Sequence, residues 1–194
     1  MGLFSNRISG NGETLLNDGL KAHERNDAVK AIELLEKSLQ KLPSNDTDKL
    51  FQAYLFLGVN YKRVNNLQVA YNMYKNASEL ARGYENITEV HNAFGKTCYL
   101  LNKQAEAVAN YMIAINAATR YTTAEEFNVI GGNLCHHLGH ALADFDSALP
   151  HDFKVQIPEY KKSIMGQPNH YNKEIIFNYV DIGIDYWKKR RMNE

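Results

Sequence analysis

The feature that most constrains this chain is a glycine–alanine spacing that recurs along its first two-thirds. Gly19, Gly58 and Gly95 are each followed twelve residues later by an alanine: Ala31, Ala70 and Ala107. Four residues beyond each alanine stands a large residue, Leu35, Tyr74 or Tyr111, and three further on a small one, Ser38, Ala77 or Ala114. The upstream side repeats as well. Tyr54-x-x-Leu57-Gly58-x-x-Tyr61 is one unit, His91-x-x-Phe94-Gly95-x-x-Cys98 the next, and Leu15-x-x-Asp18-Gly19-x-x-Ala22 a weaker first copy. An Asn follows each glycine by seven residues: Asn26, Asn65 and Asn102.

Helix-pair packing accounts for the pattern. Glycine lets the first helix approach the second, and the alanine does the same from the opposite side. The large residues are then expected to fill the space between neighbouring pairs. The Asn falls where the chain turns, and Asn tolerates turn and left-handed geometry. Pro43 follows the first pair, where it ends a helix instead of interrupting one.

These residues resemble the tetratricopeptide repeat family, whose unit runs aromatic-x-x-Leu-Gly-x-x-Tyr, then Ala-x-x-x-Phe, then Pro. The resemblance covers residues 12–120. The glycines are 39 and 37 residues apart, longer than the family's simplest unit, and Asp18 and His91 replace apolar or aromatic residues. The resemblance implies an all-α, right-handed solenoid of antiparallel helix hairpins, with three clear units and one degenerate one.

The fourth unit is read from Phe127-x-x-Ile130-Gly131-x-x-Leu134 and Ala141-Leu142-x-x-Phe145-x-x-Ala148-Leu149. Its glycine-to-alanine spacing is ten, so a hairpin here needs a tighter turn near Leu138-Gly139. One long helix over 123–147 is the competing reading. Three of the four prolines, Pro150, Pro158 and Pro168, then mark 150–170 as a loop with a short helix around 159–165. A last helix is expected over 171–190, within a C-terminal segment 171–194. Ile175, Ile176, Tyr179, Ile182 and Tyr186 form its apolar stripe, and Lys188–Arg191 suit a helix C-terminus. Its expected role is to cap the exposed face of the last repeat. Residues 1–11, rich in Ser, Asn and Gly, read as a flexible start.

Composition narrows the function. The sequence has 22 basic and 22 acidic residues, which argues against a nucleic-acid partner. No stretch approaches the ~18 apolar residues of a membrane span, and the N-terminus has no signal-like apolar run. Gly2 is not a myristoylation expectation, because Asn6 occupies the position that motif gives to Ser or Thr. Two cysteines, Cys98 and Cys135, are too few for a disulfide scaffold and read as small core residues. A cytoplasmic protein is expected, with no cofactor and no catalytic role.

The resemblance further implies a concave groove, lined by first helices, that holds a peptide or helix of a partner protein. Carried onto this chain, the groove positions are Leu16, Leu20 and His23; Leu55, Val59, Lys62 and Arg63; Asn92, Lys96 and Tyr99; and, in the fourth unit, Asn128, Cys135, His136 and His137. Leu16 and Leu20 stand where relatives that grip a C-terminal carboxylate carry a Lys and an Asn, so that kind of clamp is not expected. The groove instead runs from apolar to cationic, suiting a segment with a hydrophobic and an acidic end. Self-coverage of Leu16, Leu20, Leu55 and Val59, or a homodimer, is the alternative use of that face. A stoichiometric inhibitor or immunity factor sequestering one toxin or effector is a narrower version of the same reading.

One stretch invites a chemical reading. His136, His140 and Asp144 are spaced i, i+4, i+8, and two His four residues apart on a helix can chelate Zn²⁺ or Ni²⁺. A metal-binding regulator is thus a second alternative. No Glu lies next to the first His in the metalloprotease pattern, and a turn at 138–139 would break the face.

Overall fold

The three Asn residues mark how the chain reverses. Asn26, Asn65 and Asn102 take φ of 59°, 60° and 57°, the only non-glycine residues with positive φ among those described. The computed structural model describes residues 3–123, of which 3–10 and Thr119 by backbone alone, and 125–127, 130–131, 133–134, 137–138 and 141. At the first Asn, the Asn26 N–H donates to the His23 carbonyl at 2.9 Å and the Asp27 N–H to the Ala22 carbonyl at 3.0 Å. That pair of bonds is a Schellman motif, which needs a left-handed residue at its centre. It recurs as Asn65→Lys62 with Asn66→Tyr61, and as Asn102→Tyr99 with Lys103→Cys98. The residue after each Asn begins the next helix. Asp27 and Asn66 cap it by accepting the N–H of Lys30 at 3.0 Å and of Val69 at 3.4 Å.

Every described element is an α-helix: α1 (Leu3–Glu24), α2 (Ala28–Leu39), α3 (Thr47–Arg63), α4 (Leu67–Leu80), α5 (Tyr84–Leu100) and α6 (Gln104–Tyr121). The chain divides into two compact units after Ala81. In the first, α1 packs on α2, α2 on α3 and α3 on α4; α1 and α3 also touch. In the second, α5 packs on α6. The helix α1 starts at Leu3, so residues 3–11 belong to a helix where the sequence suggested a flexible start.

The repeated glycine is the contact that sets each pair. A Cβ at Gly58 would lie 2.6 Å from Cε1 of Tyr74, and one at Gly95 would lie 2.8 Å from Cε1 of Tyr111. At Gly19 the same place is filled by Leu35, with Cγ at 2.8 Å. All three large residues are buried. The large residue of each unit therefore packs against the glycine of its own pair, and Leu35 also belongs to the core shared with the next pair, where the spacing had suggested it. The ring needs a bare backbone beneath it, and only glycine supplies one.

The core of the first unit joins its two pairs. Leu16, Ala22, Ala31 and Leu35 from the first pair cluster with Leu42, Ala53 and Leu57. Leu20, Phe56, Tyr61 and Met73 pack against that cluster. The Tyr61 hydroxyl donates to the Glu36 carboxylate, tying α3 to α2. Burial and that neighbouring carboxylate push the Tyr61 phenol up to about 12.

In the second unit, Thr123 and Glu126 form a capping box: the Thr123 N–H donates to Glu126 Oε2 at 2.8 Å, and the Glu126 N–H to Thr123 Oγ1 at 3.3 Å. The described positions from 125 to 141 are all helical, including Leu138, where a tight turn was expected. Gly131 is covered by Phe127, one turn earlier in the chain, and no second-helix residue is among its nearest neighbours. Gly139, the expected loop over 150–170 and the C-terminal helix over 171–194 lie outside the described residues. Among the described residues no helix is long and apolar enough to cross a membrane.

Two substitutions test this packing. Gly58→Ala should destabilise the chain by about 1 kcal/mol in urea unfolding, because overpacking costs ~1–3 kcal/mol and better helix propensity returns ~1 kcal/mol. In a Tyr74→Ala background the same change should become stabilising, and a loss that persists there would refute the ring-on-glycine contact. At the turn, Asn65→Gly should be nearly neutral, whereas Asn65→Ala should cost about 1 kcal/mol because a Cβ disfavours the left-handed region. Equal costs for both would overturn the role given to Asn65.

Candidate functional site

The α1–α3 face of the first unit is built around His23, in the last turn of α1. Asn60 Nδ2 donates to the Phe56 carbonyl at 2.7 Å, which turns Asn60 Oδ1 toward His23 Nδ1 at 3.2 Å. Arg63 Nη1 lies 3.1 Å from the same Nδ1 and also donates to the His23 carbonyl at 3.1 Å. One ring nitrogen can donate to Asn60 or accept from Arg63, not both at once. The imidazole also meets the Phe56 ring edge-on, with centroids 4.8 Å apart. Lys49 adds a second tie between the helices through an ion pair to Glu13 at 3.2 Å.

This arrangement sorts the expected groove residues. Leu16 and Leu55 are buried, with 2% and 3% exposure, so neither lines a groove. Leu16 belongs to the core cluster with Leu35 and Leu57, and Leu20 packs partly buried against it. Val59, Lys62 and His23 are half-buried, and Arg63 is exposed. Leu20 and Val59 are each one residue past a repeat glycine, and His23 and Lys62 each four past it. They hold equivalent register positions on the two touching first helices. The accessible part of the expected face is thus Leu20, His23, Val59, Lys62 and Arg63.

On α5, Asn92, Lys96 and Tyr99 are half-buried and spaced for one helical face. The Oδ1 atom of Asn92 is buried without a hydrogen-bond partner. His137 stacks on Tyr111, with centroids 5.7 Å apart and planes 20° from parallel. It is therefore tied to the ring that covers Gly95. Asn128, Cys135, His136, His140 and Asp144 lie outside the described residues. Among the described residues no group of His, Cys, Asp and Glu could hold a metal ion.

The second unit buries a polar cluster that the sequence did not single out. Asn110 Nδ2 donates to the Glu106 carbonyl at 2.8 Å, leaving Oδ1 to accept from His91 Nδ1–H at 2.7 Å. Burial lowers the His91 imidazole below its ordinary value, with the Asn110 bond acting weakly the other way. Cys98 is buried beside this cluster. Burial, reinforced by the Glu106 carboxylate, pushes its thiol up to about 12. A thiol held that strongly protonated is a core residue and not a nucleophile. Asn60 and Asn110 sit among apolar residues in the sequence. Only their long-range partners distinguish them from exposed asparagines.

No protein-family model matches this chain, and no curated protein sequence is significantly similar to it.

His91 gives a pH test. The folded state holds the imidazole neutral, while the unfolded chain takes up a proton near the ordinary value of 6.5. Below that pH the unfolded state binds more protons, so stability falls with falling pH until the lower folded value is reached. The urea midpoint should therefore drop between about pH 7.5 and 5.5, and His91→Gln should remove part of that slope. An identical slope in the variant would show that His91 is not held neutral.

Proposed function

We propose that this chain is a right-handed α-solenoid of the tetratricopeptide type, and that it binds a peptide or helix of another protein along its first helices. Two ring-on-glycine contacts, a leucine in the same place at Gly19, and three Asn-centred turns support the repeat reading. The observation that carries the binding reading is the α1–α3 face. Two first helices touch there through the Arg63 guanidinium on the His23 carbonyl and through His23 itself. Beside that junction Leu20 and Val59 offer apolar surface, and Lys62 and Arg63 offer positive charge. A segment with an apolar residue followed by acidic ones matches that order. The reading is of binding and not of catalysis: Cys98 is buried with its thiol held protonated, and His91 is tied to the buried Asn110.

Selection of a displayed random-peptide library on the immobilised chain tests it. Enriched peptides should share an apolar residue next to Asp or Glu. Val59→Glu and Lys62→Glu should each weaken such a peptide by about tenfold, or 1.4 kcal/mol, without lowering the thermal midpoint. Failure to enrich any shared pattern, or affinity untouched by both variants, would defeat the proposal.

A further inference from the structure

A second surface, apart from the α1–α3 face, emerges when the two pairs of the first unit are compared in register. Counted from Gly58, positions −1, +2, +3 and +15 are Leu57, Asn60, Tyr61 and Met73. All four face the first pair: Leu57 is in the shared core, Tyr61 and Met73 pack on it, and Asn60 meets His23. Counted from Gly19, the same positions are Asp18, Lys21, Ala22 and Leu34. These four line an open cleft of about 430 Å³ between α1 and α2, together with Arg25, Asp27 and Lys30.

The first pair therefore carries, in the same register, the face by which the second pair docks. Its chemistry has changed. Ala22 stands where Tyr61 supplies a ring, which leaves room for a large side chain over an apolar floor of Ala22 and Leu34. Leu57 and Asn60 have become Asp18 and Lys21, and +11 has gone from Val69 to Lys30. The charges are unequally committed. Asp18 pairs with Lys21 at 3.3 Å, and Lys30 with Glu33 at 2.9 Å. The Asp27 carboxylate accepts the Lys30 backbone N–H at 3.0 Å and caps α2. Arg25 is exposed and has no ion pair among the described residues.

We infer that this cleft is a docking seat for a helix of a partner protein that presents one large apolar side chain flanked by acidic residues. The apolar side chain fills the space that Tyr61 would occupy, and a carboxylate pairs with Arg25. An exposed Arg is suited to this, because its planar fork engages a carboxylate through two hydrogen bonds.

The test uses the intact chain and two probes. One is an alanine-rich helical peptide with a central Phe and a Glu about one turn to either side. The other has both Glu replaced by Lys. In ¹⁵N-correlated spectra the Glu probe should shift amides between residues 18 and 34 and should bind at least about tenfold more tightly than the Lys probe. Arg25→Glu should reverse that preference as read at those amides, and should leave any response of the amides around Val59 and Lys62 as it was, which separates this seat from the α1–α3 face. Shifts confined to other residues, or a preference that survives Arg25→Glu, would overturn the proposal. So would a concentration-dependent dimer that Arg25→Glu dissolves, because the seat would then serve a second copy of this chain.

Discussion

The ring lying on a bare glycine backbone is the contact on which the remaining geometry depends. A side chain at Gly58 would meet the Tyr74 ring at less than 3 Å, so the residue is fixed as glycine by the ring above it. Glycine in a helix interior costs ~1 kcal/mol relative to alanine. The chain accepts that cost at Gly19, Gly58 and Gly95 because the close approach buries Leu35, Tyr74 and Tyr111. The small residues on the second helix, Ala31, Ala70 and Ala107, are all fully buried and keep the two backbones near. The pair is thus specified by contacts within about twenty residues of sequence, which also favours rapid local folding.

Turn chemistry fixes what the glycine contact leaves free. A Schellman turn ends the first helix and places the next residue ready to cap the second. Asn26 and Asn65 are each followed by a residue whose side chain accepts a helix N–H, Asp27 or Asn66. At Asn102 the following residue is Lys103, which offers no side-chain cap. The third turn keeps the backbone bonds but lacks the cap, Lys103 pairing instead with the Glu106 carboxylate at 3.3 Å, and here the repeat begins to lose its regularity. The contact at Gly131 continues that drift, since Phe127 from the preceding turn now covers the glycine.

What the sequence disclosed follows from the range of the interactions concerned. Glycine, alanine and asparagine positions are governed by neighbours a fixed distance along the chain, so their spacing exposes both the helix pairs and the turns. Leu16 and Leu55 were not legible in the same way. Helical spacing gives the angle of a side chain around its own axis, but not what stands opposite. Leu16 shares a core cluster with Leu57 of the next pair. The start of α1 at Leu3 was hidden for a related reason: a stretch rich in Ser, Asn and Gly has little intrinsic helical preference. Asn60 and Asn110 were hidden because an asparagine beside apolar residues reads as surface until its partner, His23 or His91, is located.

A single register position shows how one repeat can serve different ends. Position +3 is Ala22, Tyr61 and Cys98 in the three units. Tyr61 joins its pair to the one before it through the core and through Glu36. Cys98 is sealed in the interior next to Asn110 and Glu106. Ala22 instead floors an open cleft rimmed by charge. The backbone contact at the glycine and the Asn turn are the same in all three. What surrounds position +3 is therefore free to vary without disturbing the pair that carries it. The contact that makes the fold legible, a large residue against a bare glycine, is therefore independent of what position +3 meets.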